Sequence, residues 1–377
     1  MSDARYDLSV GVVNYQSAAL CEGLVSTLLA DRFDVDGRPG VVETTIVDNA
    51  SRGDDVRTLE RLVRPGVRLV RNTENVGYAT ANNQAFHVSS APLHLVVNPD
   101  CRILPGALQA LIDALRTLPG AGLVGPLATM DEEGEVLLPP NELPDPYRET
   151  LVALARVSPE MAAFHARRRA RAARAYWTAT APTPMEMLSG GCFLGRRADF
   201  LAHGLFDAGY PLYFEDTDLF RRFRARGFSL WHVPASRIVH FFSRSAITRL
   251  KAAMHRHDVS ARRYFETWFG APGERAYATI RARAAAQARD HECPWPLIET
   301  PPSSEPPELD VPEAEGVFLE IAGNPQFSLA AGLFPGRPGP YRPPRSFWTQ
   351  LGPGRYWVRA VDPSTGDALR AWAVVRA

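Results

Sequence analysis

Along residues 8 to 126, apolar runs alternate with amphipathic stretches. "LSVGVVNY" reads as a buried strand, and "SAALCEGLVSTLLA" spaces its apolar residues as a helix does. "VVETTIVDNAS", "VRLVRN", "LHLVVNPD" and "AGLVGPLAT" read as further strands. Between them, "GDDVRTLERLV" has acids in its first turn, "GYATANNQAFHVS" follows a glycine, and "PGALQALIDAL" opens on proline; all three read as helices. Strict alternation of strands and helices predicts a doubly wound, mostly parallel sheet. Ligands of such sheets bind beyond the carboxyl ends of the strands, where this chain carries "NYQS", "DNAS" and "NPD".

The pattern changes after residue 126. "DEEGEVLLPPNELPDP" is rich in turn formers, and "EMAAFHARRRARAARAYW" reads as a basic helix. "PMEMLSGGCFLGRR" reads as a strand, followed by a short helix, an acidic cluster and "FSLWHVPASRIVHFF". A helical, arginine-rich segment is expected over 246–292 and a proline-rich acidic linker over 293–315. The tail over 316–377, with "VFLEIAG", "SFWTQL", "RYWVRAVD" and "LRAWAVVRA", reads as a small β-sandwich-like domain. Residues 1–245 are left as the main domain.

Composition narrows the function. The formal net charge is zero, which removes any global argument for nucleic acid as a partner. Nearly all the positive charge is arginine; Lys251 is the one lysine. Cys21, Cys101, Cys192 and Cys293 are far apart, without metal-binding spacing, and read as structural thiols of a reducing compartment. The opening residues lack a basic stretch followed by an apolar core, and no run approaches the roughly 20 apolar residues of a membrane span. The expectation is a cytoplasmic protein, soluble or attached only at a membrane surface.

The polar strand ends carry the candidate chemistry. In "LVVNPD" a buried run ends at Asn98 and delivers Asp100 to the rim of the sheet, where one carboxylate can share a divalent cation with substrate phosphates. Asp100 alone reads equally as a turn initiator. Asn14 and Tyr15 end the first strand, and Asp48 ends the second, where it can accept hydrogen bonds from a nucleotide or cap the next segment. Gly77 sits between strand and helix and allows a ligand near the backbone, with Asn75 and Asn82 adding amides. Gly190 and Gly191 remove side chains where backbone and ligand come close. "YPLYFEDTDL" sets Glu215, Asp216 and Asp218 behind an aromatic run; three like charges cost stability unless a cation, a proton or a reaction uses them. A helix amino end accounts for Asp216 or Asp218 on structural grounds alone.

Taken in order, "VVNYQS", "VDNAS", "NTENVGYATANN", "NPD", "LSGGCFLGRR", "YFEDTDL" and "VPASRIVH" resemble the family 2 glycosyltransferases, most closely rhamnosyltransferase-like members that build bacterial surface polysaccharides. The resemblance covers about residues 8 to 245. It implies the GT-A fold, a nucleotide-sugar donor, a saccharide or lipid-linked saccharide acceptor, Mn2+ or Mg2+, and inversion at the anomeric carbon. It implies Asp216 as general base, with Glu215 helping to position the acceptor. It places Asn14, Tyr15, Asp48, Asn75, Gly77, Asn82, Asn98, Gly190 and Gly191 on the donor side. "NPDCR" departs from the family's Asp-any-Asp metal motif by keeping one acid, so a second ligand is implied, and His240 matches the late metal-binding histidine. A rhamnose donor carried on thymidine diphosphate follows from the nearest resemblance.

Other readings compete. A nucleotidyltransferase or a dehydrogenase needs a glycine-rich loop after the first strand, and "NYQSAAL" has none. A degenerate domain that binds nucleotide or glycan without turnover is the non-enzymatic alternative. Arg167, Arg171 and Arg174 share one helical face, which suits an anionic membrane surface or a lipid diphosphate as well as it suits solvent. Phe347, Trp348, Tyr356, Trp357 and Trp372 fit the core of the β domain, the place where an oligomer interface is expected.

Overall fold

The computed structural model describes residues 6–241, 250–288 and 292–377, with side chains in the second stretch described from 255 onward. The chain divides into two compact units. The first comprises Met1–Ala128, Asn141–Leu143 and Thr180–Tyr264; the second comprises Thr129–Pro140, Pro144–Ala179 and Phe265–Ala377.

The first unit starts as the sequence pattern predicts. β1 (Leu8–Asn14) leads through α1 (Ala18–Ala30) and a short hairpin, β2 (Asp34–Val35) with β3 (Arg38–Pro39), to β4 (Val42–Asp48). α2 (Asp54–Leu62), β5 (Val67–Arg71), α3 (Tyr78–His87) and β6 (Leu93–Val97) follow. β1 is buried at every position, as expected of a strand covered on both faces. β5, β4, β1 and β6 are neighbours in that order, all parallel. Their carboxyl ends therefore share one rim, and Asn14 lies directly across from Asp48.

Beyond β6 the sheet ceases to be parallel. The chain adds β7 (Cys101–Ile103), α4 (Ala107–Thr117) and β8 (Ala121–Thr129). After α5 (Pro146–Ala155) and α6 (Pro159–Trp177) it returns with β9 (Thr183–Met185), β10 (Cys192–Arg196), α7 (Arg197–His203), α8 (Glu215–Ala225) and β11 (Ser229–His240). β10 runs antiparallel to both β6 and β8, and β11 runs antiparallel to β7 and β9. The sheet is thus mixed, not mostly parallel. "PMEMLSGGCFLGRR" makes two strands instead of one, because Gly190 and Gly191 fall in the turn before β10. An aromatic core of Phe86, Phe193, Phe200, Phe220 and Phe223 holds α3, α7 and α8 to this half.

The second unit gathers segments that sequence order keeps apart. Residues 129–140 and 144–179, read above as part of the main domain, belong here. So does the α9 helix (Leu250–Gln287) from Phe265 onward, while its earlier residues belong to the first unit. Gly270, at φ +68° and two residues before Pro272, breaks its helical geometry. The expected boundary at 245–246 lies outside the described residues.

The stretch read as a linker holds two strands. β12 (Leu297–Glu299) pairs with β18 (Ala368–Arg376), and β13 (Leu309–Val311) pairs with β16 (Gly339–Tyr341). β14 (Phe318–Ala322), β15 (Ala330–Leu333) and β17 (Gly354–Val361) complete a five-stranded sheet in the order β12-β18-β17-β14-β15. "SFWTQL" is α10 (Arg345–Gln350), not a strand, and its adjacent Phe347 and Trp348 are both buried. One sheet face presents Leu319, Ile321, Val358, Ala360 and Trp372 to a core shared with Phe347 and Trp348. The other presents Phe318, Glu320 and Arg359 to α6. One face of the sheet is thus covered by α6, and the other by α10 together with Leu309 and Val311 of β13.

A buried ion cluster fixes α6 in place. Glu320 accepts from Arg169 and from Arg359 Nε at 2.8 Å, and Arg359 also donates to the Ala166 carbonyl at 2.9 Å. Glu320 and Arg359 are wholly buried, with Arg359 packed over Trp295 and Phe327. Removing the shared acid strands two guanidiniums in an apolar setting. Glu320→Gln is expected to cost about 3–5 kcal/mol, seen as an earlier urea transition of the full chain. An unshifted transition would mean that the cluster contributes no net stability.

Candidate active site

The rim of the parallel half is a braced polar lattice. Asn14 donates to Asp48 Oδ1 at 3.2 Å and to Ser51 Oγ at 2.9 Å, while its own carbonyl accepts from Ser17. The Ser51 amide also donates to Asp48 Oδ1, at 3.2 Å, so that oxygen caps the loop after β4. Asp48 Oδ2 lies 4.0 Å from Arg71 Nε. Tyr15 is exposed beside this lattice. Asn75 Oδ1 accepts from the Gly77 amide at 3.1 Å and from Asn49 at 3.0 Å. Gly77 starts α3 at φ +88°, a conformation open to glycine. Asn82 is buried and donates back to the Tyr78 carbonyl at 3.0 Å, leaving its buried Oδ1 without a hydrogen bond. Asn49 was missed in the sequence reading, although it follows Asp48 and holds both Asn75 and the Gly77 carbonyl.

Next along the rim, Asn98–Pro99–Asp100 makes a tight turn. The Asn98 amide donates to the Gly191 carbonyl at 2.8 Å, and the Cys101 amide returns to the Asn98 carbonyl at 3.1 Å. Asp100 is 1% exposed. Antiparallel pairing sets His240 opposite Cys101, and the Phe241 amide donates to the Asp100 carbonyl at 3.0 Å. This register brings His240 Nε2 within 3.3 Å of Asp100 Oδ1. Asp100 Oδ1 is buried and accepts no hydrogen bond, as expected of an oxygen kept for a cation.

The donor set fits a hard divalent ion. A carboxylate suits Mg2+ or Mn2+, and a neutral imidazole adds a ligand that Mn2+ accepts. Cys101 Sγ lies within 4.8 Å of both groups, but burial pushes its thiol well above the usual range and it donates to the Gly191 carbonyl. A protonated thiol is not a ligand. Arg102 stands where the second acid of an Asp-any-Asp motif would be. It turns away, donating to the Leu20 carbonyl at 3.2 Å and lying over Phe241. Asp100 and His240 are the two groups here that could hold such an ion.

The acidic cluster faces the same place. Tyr213 and Phe214 both adopt φ +65°, a costly geometry for two successive bulky residues, immediately before α8. Glu215 is 5% exposed, and its Oε2 is buried without a hydrogen bond. Asp216 Oδ1 accepts from the Thr217 amide at 2.6 Å and from its hydroxyl at 3.2 Å. Burial raises both carboxyls; Glu215, which also feels the Asp216 charge, is pushed up to about 8. Asp218 is set apart from this pair by its ion pair with Arg222 at 2.8 Å. Of the aromatic run, Tyr210 and Phe214 are buried, and Tyr213, 39% exposed, is the ring presented to solvent.

Gly190 and Gly191 tie the two halves together. A Cβ on Gly190 would overlap the Asp216 carboxylate, and one on Gly191 would overlap the His240 ring. Adjacent residues therefore touch the acid of α8 and the imidazole of β11, and the imidazole touches Asp100. Asp100, His240, Asp216, Glu215 and Asn98 surround one glycine turn, with Asn14 and Asp48 farther along the same rim.

A family model for Glycosyl transferase family 2 matches residues 9–200, more than half of the 377 residues. Relatives from two strains of Mycobacterium tuberculosis (CDC 1551 / Oshkosh and ATCC 25618 / H37Rv) are each 30% identical over 231 residues, covering 57% of this chain and 66% of theirs. Both bear the name N-acetylglucosaminyl-diphospho-decaprenol L-rhamnosyltransferase. The chain thus spans just under two thirds of the length of these relatives. Among solved structures, GalNAc-T7 with UDP, GalNAc and Mn2+ is 17% identical with a TM-score of 0.46, over 63% of this chain and 44% of that one. The mannosyltransferase PcManGT from Pyrobaculum calidifontis, with GDP-Man and Mn2+, is 18% identical with a TM-score of 0.44, over 75% and 76%.

The crowding at Gly191 can be tested by metal affinity. Gly191→Ala is expected to weaken Mn2+ binding by about tenfold or more, and His240→Ala by at least as much, in calorimetric titrations with a nucleoside diphosphate present. Equal affinity in all three proteins would remove His240 from the metal site.

Proposed function

The chain belongs to the family 2 glycosyltransferases, and from that premise we propose that it is an inverting, metal-dependent enzyme that moves a sugar from a nucleotide sugar to a lipid-linked saccharide. The observation that carries the reading is the seating of Asp216 and His240 against successive glycines, with Asp100 beyond the imidazole. Groups suited to a pyrophosphate and a group suited to an incoming alcohol then face one crevice from different sides.

In this reading Asp100 and His240 hold Mn2+ or Mg2+, which supplies charge neutralisation at the departing diphosphate. Asp216 takes the proton of the acceptor hydroxyl as that oxygen attacks the anomeric carbon opposite the leaving group. Glu215 lies beside it and orients the acceptor. The rim lattice of Asn14, Asp48, Asn75 and Gly77 receives the nucleotide. Tyr15, Asn82, Asn98 and the glycine turn complete the donor side. The names of the mycobacterial relatives favour a rhamnose donor, taken as dTDP-rhamnose, and an acceptor that carries a diphospho-lipid.

No helix among the described residues is long and apolar enough to cross a membrane. A lipid-linked acceptor then calls for peripheral contact at the cytoplasmic face. The α6 arginines divide between roles: Arg167 pairs with Asp367 at 3.1 Å, and Arg171 is exposed and available to an anionic surface.

Asp216→Asn is expected to lower turnover about 1000-fold or more, while nucleotide-sugar affinity stays close to wild type. Turnover near the wild-type level would remove Asp216 as the base. The pH profile supplies a second check. The base works only when ionised, and burial raises the acid pair, so turnover should climb as pH rises through the pair's titration and then level off. A rate already at its maximum in mildly acidic buffer would contradict this assignment.

A further inference from the structure

Tyr78 lies between the donor and acceptor groups, yet nothing above gives it a role. It is the first residue of α3, and its ring packs with Val13, Val47, Ala81 and Ala85 and edge-on to Phe206 at 6.2 Å. Its hydroxyl leaves this apolar bed and donates to Asn98 Oδ1 at 2.8 Å. Asn98 is otherwise held by its backbone, through the Gly191 carbonyl and the Cys101 amide. Its side-chain Nδ2 makes no hydrogen bond to a described residue.

An asparagine amide rotates readily, and its two ends are distinguished by the partners they find. The phenol, pushed well above its usual range by burial and then by the Glu215 charge, remains a donor. With the Tyr78 hydroxyl donating to Oδ1, Nδ2 is left as the amide's donor. Asn98 lies two residues before Asp100, in the same turn.

We infer that Tyr78 is a positioning residue of the transfer reaction, its hydroxyl locking the Asn98 amide so that Nδ2 donates to an oxygen of the bound nucleotide sugar. The inference rests on the proposed function and adds to it a specific route: Tyr78 acts on the donor through Asn98. A purely structural tyrosine would act through its ring, which phenylalanine keeps.

The test is a double-mutant cycle on the full chain with Tyr78→Phe, Asn98→Ala and the pair, using dTDP-rhamnose hydrolysis with Mn2+ as readout. Tyr78→Phe should lower kcat/KM for the donor about tenfold, with Asn98→Ala losing at least as much. The double variant should match Asn98→Ala, because removing Asn98 already removes what Tyr78 acts upon. Where turnover is too low, calorimetric binding of the same nucleotide sugar supplies the same comparison. Wild-type behaviour of Tyr78→Phe, or losses that multiply in the double variant, would overturn the inference and leave the parent reading intact. A wild-type chain that neither binds nor hydrolyses dTDP-rhamnose would contradict the proposed donor and take this inference down with it.

Discussion

The site depends on one strand pairing. β7 and β11 are antiparallel with Cys101 opposite His240, and this register sets an imidazole 3.3 Å from a carboxylate that no hydrogen bond satisfies. Shifting the register by one residue would turn His240 to the other face of the sheet. Asp100 would then be a buried acid without a partner, an arrangement that costs several kcal/mol. The Phe241 amide on the Asp100 carbonyl and the Leu104 amide on the Arg237 carbonyl extend the pairing at its two ends. The parallel strands deliver Asp48 and Asp100 to the rim; the returning antiparallel strands deliver the histidine and the glycine turn.

The acid pair is held by a different means. Two left-handed residues precede α8 and set Glu215 and Asp216 at its amino end, where backbone amides favour negative charge. Burial works against that charge and raises both carboxyls. The third acid of the cluster is set apart by its ion pair with Arg222. Glycines 190 and 191 link the acid pair to His240, since neither neighbour leaves room for a methyl group.

Much of this was legible from residue types and spacing. The alternation of buried runs with amphipathic stretches marks the parallel half and its rim, because periodicity is a local property. Asp100 at the end of "LHLVVNPD" and the acids of "YFEDTDL" are visible for the same reason. His240 is not, since its partner is 140 positions away in the numbering, and only resemblance to a family connected them. The glycine turn reads in the sequence as room for a ligand, and the packing of Asp216 and His240 against it is not visible there. The second unit was the least legible. Its assembly rests on distant pairs, such as Leu137 with Gly332 and Arg169 with Glu320, that no local pattern encodes. "SFWTQL" misled because adjacent aromatics suit a strand by propensity, whereas these residues form the short helix α10.

The central claim is that Asp100 and His240 share one divalent ion. Anomalous diffraction from crystals soaked with Mn2+ and dTDP tests it directly. The account predicts a manganese peak at coordinating distance, about 2–2.5 Å, from the Asp100 carboxylate and the His240 imidazole, with diphosphate oxygens on its open side. A fully occupied peak elsewhere, with the diphosphate bound and this pair left uncoordinated, would contradict it.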